Sequence, residues 1–118
     1  MMINFDFMFD DKKEDYQKIL DELRGGEARL VDIREESEWN QNRFKCATHI
    51  PLSDLSRGKG LEILKEIKQS NKKIYLHCRS GNRVRKAQKI LAQYGCTDIH
   101  VIPITMMKML EEGFKLDK

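Results

Sequence analysis

The stretch that most constrains this chain is the junction at residues 74–94. An apolar run, Ile74-Tyr75-Leu76, ends on His77-Cys78, and the polar loop Arg79-Ser80-Gly81-Asn82-Arg83 comes next. Val84, Ala87, Leu91 and Tyr94 then recur at helical spacing, with Gly95 to close the helix. Strand, tight loop and helix in that order make half of a βαβ unit. Backbone N–H groups at a helix start have no intrahelical partner, and the helix dipole adds partial positive charge there. A cysteine at that position is drawn toward thiolate, the nucleophilic form. Arg79 and Arg83 push in the same direction.

The rest of the chain repeats the alternation. Phe5, Phe7 and Phe9 alternate with polar or flexible residues, so residues 3–9 are expected to form a short strand. Asp10 and Asp11 are placed to cap the helix after them. Tyr16, Ile19, Leu20 and Leu23 fall at i, i+3, i+4 and i+7, an amphipathic helix stopped by Gly25-Gly26. Leu30 to Ile33 reads as a strand carrying Asp32, and Glu35 to Asn42 as a short helix anchored by Trp39. Ala47 to Leu52 reads as an edge strand that tolerates Pro51, with a turn at Ser53 to Leu55 behind it. Leu61, Leu64 and Ile67 mark another helix, Ile99 to Ile102 the last strand, and Ile104 to Glu112 a final helix with an apolar side of Met106, Met107, Met109 and Leu110. Short strands alternating with helices predict an α/β fold with a parallel sheet, and ligands of such sheets bind at the carboxyl ends of the strands. Cys78 and Arg34 both lie at such ends.

A length of 118 residues suits one domain, residues 1–118, with one core. No apolar run reaches the roughly 20 residues of a membrane span. The start lacks the basic segment and cleavage site of a signal peptide, so the expected location is the cytosol. Three cysteines, Cys46, Cys78 and Cys96, form no CxxC pair and no cluster with the three histidines. That pattern argues against a disulfide framework and a structural metal, and no cofactor is implied. Charge is uneven: between Ile67 and Thr97 lie eight Lys/Arg and no Asp/Glu. A basic segment centred on the loop attracts small anions. Nucleic acid is disfavoured, because few aromatic residues interleave with the charges.

Gly81 has access to backbone angles closed to other residues, so successive N–H groups of the loop can form a nest for an anion with Cys78 at its floor. An anion with an electrophilic sulfur or phosphorus would then sit against the nucleophile. Arg79 and Arg83 would stabilise the anion and the leaving group. His77 alternates to the opposite side of the strand, so it is read as packed rather than as a general base. Cys46 and Cys96 lack a basic loop, and neither His49 nor His100 shows a partner in the sequence.

The segment Tyr75-Leu76-His77-Cys78-Arg79-Ser80-Gly81-Asn82-Arg83 resembles the active-site loop of the single-domain rhodaneses, the thiosulfate sulfurtransferase-like family. Leu30-Val31-Asp32-Ile33-Arg34 with Glu38-Trp39 resembles the first sequence box of that family, and Ala47 to Leu55 the end of the second. The resemblance implies a three-layer α/β/α sandwich around a five-stranded parallel sheet. It implies Cys78 as the catalytic residue that carries sulfane sulfur as a persulfide, and Arg79, Ser80, Gly81, Asn82 and Arg83 as binders of the substrate anion. It implies supporting roles for Asp32, Arg34 and Glu38, with Arg34 and Glu38 paired under the loop. The expected partners are a small anionic donor such as thiosulfate, a thiol or cyanide acceptor, or a protein acceptor. The rim departs from the family at Asn42 to Cys46 and at Pro103 to Met107, where substrate choice is expected to reside.

Two other readings share the loop logic. A cysteine phosphatase needs five residues between cysteine and arginine, whereas Arg83 stands at Cys78 plus five, which makes a smaller nest. A sulfur carrier or binding module without independent turnover would keep the fold and dock to another protein.

Overall fold

The computed structural model describes residues 15–117; the strand expected at 3–9 lies outside them. Six helices and four strands alternate: α1 (Tyr16–Arg24), β1 (Ala28–Asp32), α2 (Glu36–Gln41), β2 (Thr48–His49), α3 (Leu52–Ser56), α4 (Leu61–Gln69), β3 (Lys73–His77), α5 (Arg83–Gln93), β4 (His100–Val101) and α6 (Met106–Glu112). The strands form one sheet in the order β2-β1-β3-β4, every neighbour parallel. The described sheet therefore has four strands rather than the five expected.

Period-two alternation sorts the side chains of the central strands into two cores. Val31, Ile33, Ile74, Leu76 and Cys78 pack with Leu55 of α3, Leu64 of α4 and Val84, Ala87 and Leu91 of α5. Ala28, Leu30 and Tyr75 pack with Tyr16, Ile19 and Leu20 of α1, Met106 and Met109 of α6, and Phe44 and Phe114. Each face of the sheet is thus covered by helices, which gives the three-layer α/β/α sandwich.

Some local expectations shift. Pro51 is not within a strand: it stands at the N-cap of α3, so the expected turn at Ser53 to Leu55 is a short helix. Tyr94 does not face inward. It lies past the last turn of α5 and is 46% exposed, with its ring against Gly58. Met107 and Leu110 are also turned outward, leaving Met106 and Met109 to fill the core.

The topology fixes where a ligand can sit. From β1 the chain moves outward to β2, and from β3 it moves outward the other way to β4. Adjacent strands whose connections diverge leave a crevice at their carboxyl ends. Those ends are Asp32 and His77, paired in register across β1 and β3.

Candidate active site

Cys78 comes directly after the last residue of β3, is fully buried, and its Sγ accepts the backbone N–H of Gly81 at 3.2 Å. Helix α5 begins at Arg83, and Asn82 at its N-cap provides no side-chain cap, so the first N–H groups of the helix are left without a side-chain acceptor. Gly81 has φ +88°, and a Cβ there would lie 2.5 Å from the Pro103 carbonyl oxygen. Only glycine fits, on both backbone angle and space. The Met106 N–H donates to the Arg79 carbonyl at 3.0 Å, so the segment leading into α6 holds the loop from the other side. This support from residues 103–106 has no signal in the local sequence pattern, since the partners are more than twenty residues apart.

The expected pairing of Arg34 with Glu38 does not form. Arg34 instead turns back on Asp32, both buried: its backbone N–H donates to Asp32 Oδ1 at 2.9 Å and its Nη2 to Oδ2 at 2.9 Å. Its remaining donors reach the Asn42 side-chain oxygen at 3.0 Å and the Asn42 carbonyl at 2.6 Å. Asn42, expected from sequence only as part of the rim that sets substrate choice, bonds to Arg34 and completes the site in this way. Glu38 is instead gripped by Arg83 through two bonds of 2.6 and 2.9 Å, and its Oε1 also accepts the Glu35 N–H at 3.0 Å. The Arg83 guanidinium holds the Glu38 carboxyl down to about 2. Arg83 therefore braces the loop to α2 through Nη1 and Nη2. Arg79, Ser80 and Asn82 are exposed, and no ion pair involves Arg79 among the described residues.

His49 also acquires partners. Its ring stacks on Trp39 at 4.6 Å between centroids, and Nε2 lies 2.7 Å from the Arg34 carbonyl oxygen. His77 is wholly buried, faces Phe44 at 5.2 Å between ring centroids, and places Nε2 3.6 Å from Asp32 Oδ2. Burial lowers its pKa to about 4, with the Asp32 charge opposing. The folded chain therefore favours neutral His77, while the unfolded chain takes up the proton near 6.5. Stability is expected to be full above pH 6.5 and to fall as pH drops from 6.5 toward 4, by about 3 kcal/mol for this group. Urea unfolding of the wild type and His77→Gln across that range checks it: the variant should lack this part of the slope.

A cleft of about 440 Å³ opens beside the loop. Arg34, Glu38, Asn42, Arg79 and Ser80 supply its polar lining, and Met106, Met107, Leu110 and Leu116 its apolar lining. Leu116 is held by a short antiparallel bridge to Phe44. Among the described residues no group of three His, Cys, Asp or Glu side chains could hold a metal ion, and no helix is long and apolar enough to cross a membrane.

Fold and site together define a class: a parallel α/β/α sandwich with a cysteine at the carboxyl end of a central strand, under a glycine-containing loop at a helix N-terminus. The rhodanese-like domain model matches residues 15–115, and the chain belongs to that family. It is 32% identical over 94 residues to the rhodanese domain-containing protein CG4456 of Drosophila melanogaster, covering 71% of this chain and 83% of that one. It is 35% identical over 82 residues to the uncharacterized protein YqhL of Bacillus subtilis, covering 68% of this chain and 60% of that one. It spans only 25% of the bovine adenylyltransferase and sulfurtransferase MOCS3, at 29% identity. Among solved structures, the human single-domain sulfurtransferase TSTD1 superposes with TM-score 0.64 at 23% identity, over 80% of this chain and 91% of that one. The family is one of sulfurtransferase type.

Proposed function

We propose that this chain is a thiosulfate sulfurtransferase-like enzyme that moves sulfane sulfur through a persulfide on Cys78. The observation that carries the reading is Cys78 Sγ lying under its loop and receiving the Gly81 N–H, beside the uncapped start of α5. The Cys78 thiolate attacks the outer sulfur of thiosulfate. A Cys78–sulfur bond forms, the bond to the sulfonate sulfur breaks, and sulfite leaves with that electron pair. A thiol, cyanide or protein acceptor then takes the outer sulfur and regenerates Cys78, a double displacement.

Arg79 and the loop N–H groups are the anion binders in this scheme, with Ser80 and Asn82 at the mouth. Glu38 fixes Arg83, and the Asp32–Arg34–Asn42 set fixes the floor beside β1, so these residues position rather than react. Cys78 is fully buried beneath the loop, so the donor's outer sulfur reaches it by displacement of loop atoms. Treating the protein with thiosulfate and recording its intact mass tests the scheme. A gain of one sulfur atom, localised to Cys78 and removed by cyanide, is expected. No sulfur on Cys78 would overturn it.

A further inference from the structure

The cleft beside the loop is larger than thiosulfate requires. At no more than about 30 Å³ per non-hydrogen atom, the share of a water molecule in the liquid, the five heavy atoms of that anion fill about 150 Å³. The cleft holds about 440 Å³, within the range of sites for small organic ligands. The surplus is bordered by apolar side chains. Five large apolar residues are exposed among the described ones, and three of them, Met107, Leu110 and Leu116, line this cleft. Met107 is 73% exposed and shares one face of α6 with Leu110, three residues on. Leu116 arrives from a distant segment held against Phe44. The same cleft includes Arg79, which has no ion pair among the described residues, so it joins a free cation to an apolar margin.

We infer that the preferred donor is an organic sulfane-sulfur anion whose aliphatic arm lies along Met107, Leu110 and Leu116 while its charge meets Arg79. This inference rests on the sulfurtransferase reading. For a thiosulfonate, R–SO₂–S⁻, the Cys78 thiolate bonds to the outer sulfur. The bond from that sulfur to the sulfonyl sulfur breaks, and the sulfinate R–SO₂⁻ leaves with the electron pair. Charge and atoms balance, and no oxidant or reductant is needed. The arm adds contact without changing the reacting atoms.

Alkanethiosulfonates test this, because the methane and butane members differ in arm and scarcely in reactivity. With cyanide as acceptor, the wild type should use butanethiosulfonate with a kcat/KM roughly tenfold above methanethiosulfonate, as expected for three methylenes only partly buried. In Met107→Ser and Leu110→Ser, both at exposed positions, that ratio should fall toward one. A wild-type ratio within twofold, or variants that slow both donors equally, would overturn the inference and leave the apolar margin to a protein partner. Absence of sulfur transfer from every donor, thiosulfate included, would instead overturn the sulfurtransferase reading itself.

Discussion

Cys78→Ser is expected to abolish sulfur transfer from thiosulfate to cyanide, a fall of at least about 10³-fold in kcat/KM. A serine hydroxyl is a weak nucleophile toward sulfur and forms no persulfide, while among the described residues no side-chain base bonds to the Cys78 sulfur. His77, the adjacent residue, packs against Phe44 on the other face of the strand. The fold should tolerate the change at a cost of about 1–2 kcal/mol, because the Gly81 N–H that met the sulfur can meet the hydroxyl. Steady-state kinetics beside a thermal melt separate the two effects. Activity within tenfold of wild type would move the nucleophile elsewhere. Cys46 precedes β2 and Cys96 follows the end of α5, so neither stands between a strand's carboxyl end and a helix start as Cys78 does.

Asp32→Ala carries the largest expected loss of stability, about 3–5 kcal/mol. Asp32 is fully buried and Arg34 is 3% exposed, so removing the carboxylate strands a guanidinium in the interior. Asn42 alone then remains to meet it. The backbone N–H of Arg34 loses its acceptor as well, at the point where β1 gives way to α2. Asp32→Asn should be milder, since an amide oxygen can still take that N–H. Urea midpoints for both variants check the ranking. A loss below about 1 kcal/mol for Asp32→Ala would mean that water reaches Arg34 as readily as the carboxylate does. Activity should fall with stability, because Arg34 and Asn42 border the cleft that leads to the loop.

The strand–loop–helix junction and the parallel α/β class were readable from local pattern, and the three layers from the family resemblance. A strand–cysteine–glycine–helix junction is contained within about twenty residues, and the apolar runs at Leu30 to Ile33 and Ile74 to Leu76, buried on both faces, are a local property. The ion pairs were not readable. Arg34 could reach Glu38 at helical spacing or fold back on Asp32, and the turn at the end of β1, closed by the Arg34 N–H on Asp32, decides for the latter. Glu38 and Arg83 are forty-five residues apart, and the pairing of β1 with β3 brings the segments that follow those strands together. Tyr94 continued the helical spacing of Leu91, but α5 ends before it, so periodicity overran the element. The shape of the rim depends on Pro103 and Leu116, each placed by a partner far along the chain, and on Asn42, held by Arg34 across the short helix α2.

The stacking of Trp39 on His49 gives the protein an optical property as well as a contact. Trp39 is the one tryptophan of the chain, and it sits next to Glu38, the carboxylate that ties α2 to the loop through Arg83. Its ring meets both the His49 imidazole and the Arg43 guanidinium, the latter 5.0 Å away. On the proposed sulfurtransferase reading, sulfur loading that shifts Arg83 is expected to change the emission of this single fluorophore, which a fluorescence titration with thiosulfate and then cyanide checks without an attached dye.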